Sequence, residues 1–149
     1  MNASLFAAER IVVTKELSLP ISIVAERLVA GQLSKKGHKI LCQNYSGRGF
    51  ELDIVSMQGK TLVLVEVKFR SNRKDWLDID ALIPTKKRQC LRRGIQSFIY
   101  QQNINNYETI RCDLALVCSN TSQIRTLKKP YNLETGIRLY YFEGISLEV

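Results

Sequence analysis

Apolar positions in "SIVAERLVAGQLSKK", residues 22 to 36, recur at helical intervals, and Gly37 follows as a C-terminal cap. A strand is expected over His38 to Tyr45, and "SGRG" turns the chain into "FELDIVSMQGKTLVLVEVKFR", two strand-like runs flanking a glycine turn. "RSNRKDWLDIDALIPT" is polar and irregular and reads as a surface loop. Pro84 and Thr85 open a second helix to about Gln102, with Leu91, Ile95, Phe98 and Ile99 on one face. "IRCDLALVC" and "IRLYYFE" are further strands. Residues 1 to 20 mix apolar and charged positions before Pro20, and either an extra helix or an arm fits them. With no repeat or linker, residues 21–149 form a single domain behind an N-terminal extension, residues 1–20.

The hairpin carries Glu51, Asp53, Glu66 and Lys68 among its aliphatic residues. An even-length loop centred on Gln58 and Gly59 sets Glu51 opposite Glu66 and Asp53 opposite Leu64. Glu51, Asp53, Val55, Leu62, Leu64, Glu66 and Lys68 then share one face, and Leu52, Ile54, Val63, Val65 and Val67 line the other. Asp53 and Glu66 become diagonal neighbours; an odd-length loop would separate them. Three carboxylates on one patch repel each other, and Lys68 offsets one charge, so a hard divalent cation meets the remaining demand. The competing explanation is an edge hairpin whose charged face points at water. Glu26 precedes Val29, Ala30 and Leu33 on the apolar stripe of the first helix, either as a fourth carboxylate of the patch or as a stripe-edge glutamate reaching solvent.

Twenty-two Lys and Arg against fourteen Asp and Glu give a formal charge of +8, which attracts polyanions, nucleic acid first and anionic membrane second. The basic residues cluster as Arg70, Arg73 and Lys74 after the hairpin, and as Lys86, Lys87, Arg88, Arg92 and Arg93 on the second helix, with a solvated basic face as the plainer alternative for that helix. Trp76 is either a base-stacking group or a loop anchor. No run approaches the roughly eighteen apolar residues of a membrane span. "LFAAERIVV" is broken by Glu9 and Arg10, so no membrane association and a cytoplasmic location are expected. The four cysteines form no C-x-x-C pair and His38 is the lone histidine, which argues against zinc.

Asp53, twelve intervening residues and Glu66-Val67-Lys68 resemble the D-x(n)-E-x-K signature of the PD-(D/E)XK nuclease superfamily, and the element order resembles its αβββαβ core. Glu26, Gly37, Ile40, Leu41, Asn44, "FELDIV" and "VEVKFR" are similar to the pattern of the YraN-like family of small bacterial proteins over roughly residues 22 to 118. The resemblance implies an α/β fold of restriction-endonuclease-like type, a mixed central sheet flanked by helices. It implies Mg²⁺ or Mn²⁺ held by Asp53, Glu66 and the Val67 carbonyl, with Glu26 completing the site or holding a second ion and Glu51 as an alternative ligand or tuning group. Lys68 would orient or deprotonate the attacking water, and the basic clusters would contact phosphates. The layout is also similar to the archaeal Holliday-junction resolvases, implying a structure-selective endonuclease on branched, flapped or single-stranded DNA in repair or recombination, with a homodimer where two strands are cut. The alternatives are a nucleic-acid-binding adaptor that keeps the fold without the activity, and RNA cleavage. Leu52 replaces the superfamily's proline, as is usual in YraN-like proteins. Phe50 replaces the family's usual glycine and is expected to narrow the approach to the carboxylates.

Overall fold

The computed structural model describes residues 3–4, 20–70, 78–119 and 137–148. Their elements are β1 (Ala3–Ser4), α1 (Ile21–Lys35), β2 (Lys39–Gly47), β3 (Phe50–Gln58), β4 (Thr61–Arg70), α2 (Ile79–Leu82), α3 (Thr85–Gln101), β5 (Thr109–Ser119) and β6 (Ile137–Phe142). The strands form one sheet in the order β1-β6-β5-β4-β3-β2. Only β4 and β5 run parallel, joined across α2 and α3; the other neighbours are antiparallel. This is a mixed sheet flanked by helices, the restriction-endonuclease-like architecture. Among the described residues, no helix is long and apolar enough to cross a membrane.

Strand alternation divides the core in two. Ala25, Val29 and Leu33 of α1 pack on Ile54, Val63, Val65, Ala115 and Val117. Leu91, Ile95 and Phe98 of α3 pack on the opposite sheet face against Val55, Leu62, Leu64, Leu114 and Leu116. Helix α1 ends as its sequence requires: Gly37 has φ 86°, its N–H donates to the Ser34 carbonyl, and His38 N–H donates to the Leu33 carbonyl. That reciprocal pair satisfies two carbonyls the helix would otherwise leave open.

The β3–β4 turn departs from the expected centre. Its middle residues are Gly59 and Lys60, and pairing runs from Gln58↔Thr61 to Ile54↔Val65, two residues on from the register set by a loop centred on Gln58 and Gly59. Gly59 has φ 57°, and a tight hairpin turn with glycine at its first central position demands that left-handed conformation. The loop is even in length either way, so Asp53 and Glu66 remain on the same side. Glu51, however, does not face Glu66: the β3–β4 ladder ends at Ile54, and Glu51 pairs with Ser46 on β2 and is exposed. Leu52 also departs, packing with Val55 in the α3-side core rather than with Ile54.

The stretch after β4 is not wholly irregular. Asp78 caps α2 by accepting from the backbone N–H groups of Asp80 and Ala81, and Leu82 and Ile83 are buried beneath α3. In the N-terminal extension, Ala3 and Ser4 pair with Phe142 and Tyr141 at the outer edge of β6.

Candidate active site

Asp53 is skipped by both ladders of β3, although its neighbours Leu52 and Ile54 pair with Tyr45 and Gln43 of β2. It lies where β3 parts from β4, and its Oδ2 accepts the Val67 N–H at 2.8 Å. The carboxylate therefore takes an amide proton that a continued ladder would have given to a strand carbonyl. Side-chain alternation is interrupted at the same place, and Leu52 and Val55 reach one core cluster from positions three apart.

Glu66 sits across this opening and is 1% exposed. Its Oε1 accepts two ammonium groups, Lys68 Nζ at 2.8 Å from its own strand and Lys87 Nζ at 3.2 Å from α3. Its Oε2 is buried with no hydrogen-bond partner among the described residues, and the same holds for Oε2 of Glu26 on α1. An orphaned carboxylate oxygen is costly, and two orphans in electrostatic reach of one another leave a site short of positive charge.

The proton affinities agree. Burial, then the neighbouring Glu66 charge, push the Asp53 carboxyl up to about 7 against the opposing Val67 bond. Glu26 is raised by burial, with the Asn44 side chain opposing through a hydrogen bond and Glu51 and Glu66 adding repulsion. Asn44 has φ 53°, a left-handed conformation that asparagine tolerates better than most residues. Burial works against charge on Lys87, but Glu66 and then Asp53 carry its pKa above the ordinary value.

Glu26, Asp53, Glu66 and Lys68 are thus brought into one electrostatic neighbourhood, and Glu51 contributes from the exposed rim. Among the described residues, no three His, Cys, Asp or Glu side chains close into a cage. Asp53 and Glu66 are oxygen donors that could hold Mg²⁺ or Mn²⁺, since Mg²⁺ keeps much of its hydration and needs few protein ligands. The orphaned oxygens give that fit its physical basis.

The basic residues separate by role. Lys86, Arg92 and Arg93 are exposed on α3, with Arg93 also donating to the Gly49 carbonyl at 3.3 Å. Arg88 instead turns inward: Nε donates to the Ile83 carbonyl at 2.8 Å, Nη1 to the Ser146 carbonyl at 3.3 Å, and Nη2 pairs with Asp80. It anchors α2 and the C-terminal segment, a different use from the phosphate contact expected of it. Arg70 donates to the Phe69 carbonyl. Arg73, Lys74 and Trp76 lie outside the described residues. The sequence pattern did not assign Lys87 to the carboxylates, because within "TKKRQ" the helical phase alone does not tell which lysine reaches the sheet.

Phe50 does not point its bulk at the carboxylates. Its ring stacks on Tyr45 at 5.9 Å and fills a notch made by two glycines: a Cβ at Gly47 would stand 2.3 Å from the ring, and one at Gly94 would stand 2.9 Å from it. Gly94 lies two turns of α3 beyond Lys87, so the aromatic bulk belongs to the core under the helix.

A mixed sheet that opens at an Asp, Glu and Lys cluster between α1 and α3 places the protein in the restriction-endonuclease-like class. Within that class the chain belongs to the YraN-like family: the model of "Uncharacterised protein family UPF0102" matches residues 25–117. It is 40% identical over 76 residues to a UPF0102 protein of Carboxydothermus hydrogenoformans, covering 51% of this chain and 64% of the relative. It is 31% identical to one from Pseudomonas fluorescens, covering 72% and 89% of the two chains. A third, from Caldanaerobacter subterraneus, is 32% identical over 73% and 87%.

Proposed function

We propose that the protein is a metal-dependent, structure-selective DNA endonuclease that hydrolyses phosphodiester bonds in branched or flapped DNA. The observation that carries this reading is the pair of buried oxygens with no partner among the described residues, Glu26 Oε2 and Glu66 Oε2, beside an Asp53 carboxyl pushed up to about 7. Asp53, Glu66 and the Val67 carbonyl would hold Mg²⁺ or Mn²⁺, with Glu26 as a further ligand. When bound, the ion supplies an acidified water and neutralises charge developing on phosphorus.

The chain's own residues supply the rest. The Val67 N–H fixes Asp53, and the rigid β4 strand carries Glu66 and Lys68 on one face. Lys68 Nζ, 2.8 Å from Glu66, would steady a nucleophile beside the same carboxylate. Lys86, Arg92 and Arg93 on the exposed side of α3, with Arg70 at the end of β4 and Arg73 and Lys74 further along the sequence, would offer phosphate contacts that position DNA without reading bases. Cutting two strands would call for two copies of the chain.

A second reading is a nucleic-acid-binding adaptor that has kept the fold, with Lys68 and Lys87 rather than a cation neutralising Glu66. Labelled single-stranded, duplex, flap and four-way-junction DNA, incubated with Mg²⁺, Mn²⁺ or EDTA, separate the two. Cleavage of the branched substrates that EDTA abolishes supports the nuclease; binding without cleavage under every condition supports the adaptor. An RNA panel under the same conditions tests the remaining substrate class.

A further inference from the structure

Lys87 is the one residue of α3 with an ion pair to Glu66 among the described residues, and it links the basic helix to the carboxylate cluster. Glu66 is loaded asymmetrically. Oε1 carries two ammonium groups, one from the motif lysine and one from the helix, while Oε2 has no partner among the described residues. The motif lysine would suffice to hold Oε1, so the second ammonium answers a different demand. Lys87 stands one residue from the exposed Lys86 and five before the exposed Arg92, on the helix whose outer side would offer phosphate contacts.

Resting on the nuclease reading, we infer that Lys87 is a positioning residue that exchanges anions: it neutralises Glu66 while the site lacks a divalent cation, and turns to a DNA phosphate when Glu66 shares its charge with one. Both positions keep Lys87 paired, and half-burial makes an unpaired ammonium unfavourable. Metal loading and phosphate binding are therefore coupled through one side chain, and linkage requires the coupling to run both ways.

The coupling gives the two affinities opposite signs on mutation. A lysine that only supports the fold would lower both. Lys87→Met keeps the length of the side chain but removes the charge that competes with a cation for Glu66. Mn²⁺, titrated calorimetrically against the full chain without DNA, should bind about three- to tenfold more tightly than to wild type, from the lost repulsion between close charges. In Ca²⁺ as the probe ion, affinity for a four-way DNA junction should fall about three- to tenfold, from the lost phosphate partner. Lys87→Arg should restore junction affinity, and melting temperatures in EDTA check that each variant is folded. If wild type binds Mn²⁺ but Lys87→Met binds it equally or more weakly, the exchange is overturned while the nuclease reading stands. If wild type binds no Mn²⁺, both fall.

Discussion

Asp53 contributes a pH response to the metal-free protein. Its folded-state carboxyl, up to about 7 from an ordinary 3.8, holds a proton that the unfolded chain has already released between those values. Its contribution to stability is fully present below the ordinary value and is lost as pH rises through about 7. Asp53→Asn removes that loss: in EDTA at about pH 8 it should be more stable than wild type by about 1–3 kcal/mol, and by much less at about pH 4. Denaturant melts at the two pH values check this, and equal differences at both would contradict the assignment. At the same scale, Gly47 makes room for Phe50, so Gly47→Ala should cost about 1–3 kcal/mol by overpacking. Most of that cost should vanish in a Phe50→Ala background, as a double-mutant cycle would show.

Helix α3 carries two chemistries on two sides. Leu91, Ile95 and Phe98 hold it to the sheet, which leaves Arg92 and Arg93 in solvent. Replacing both arginines by alanine should lower the slope of log K against log salt for DNA binding by up to about two, and an unchanged slope removes this helix from the footprint. Elements differ in how openly the sequence declares them. The long periodic helices and the hairpin's even loop were legible, because hydrophobic spacing and side-chain alternation survive a shift of the turn by one residue. The register was not, since either Gln58 or Lys60 can flank Gly59 in a two-residue turn. Helix α2, at four residues, is too short to show a period. The break in alternation at Asp53 falls where β3 leaves β4, a tertiary event with no local signature. Glu26, Asp53, Glu66 and Lys68 could be placed together from parity and helical phase, whereas Lys87 and the inward turn of Arg88 depend on how α3 docks.

The domain extends past the residues the family model matches. Asp113 of β5 is fully buried and accepts from Arg111, from Tyr141 Oη at 2.7 Å and from the Gly144 N–H at 3.0 Å. Two of these partners lie beyond residue 117, so β6 and the turn after it are bonded to the matched residues. Tyr141→Phe should cost about 1–3 kcal/mol, because it takes one donor from a buried carboxylate, and a two-state melt reads the loss. On the scale of the entire chain, a surplus of eight positive charges would draw a polyanion toward a site that is itself acidic. That opposition yields the most direct test of the account: paired cleavage in Mg²⁺ or Mn²⁺ and binding in EDTA, on a four-way junction, for wild type, Asp53→Asn and Lys68→Ala. Wild type should cleave. Asp53→Asn should lose cleavage by orders of magnitude yet bind as well or better, since a ligand charge and a source of repulsion vanish together. Lys68→Ala should lose in both assays. Cleavage by Asp53→Asn at the wild-type rate would contradict the account.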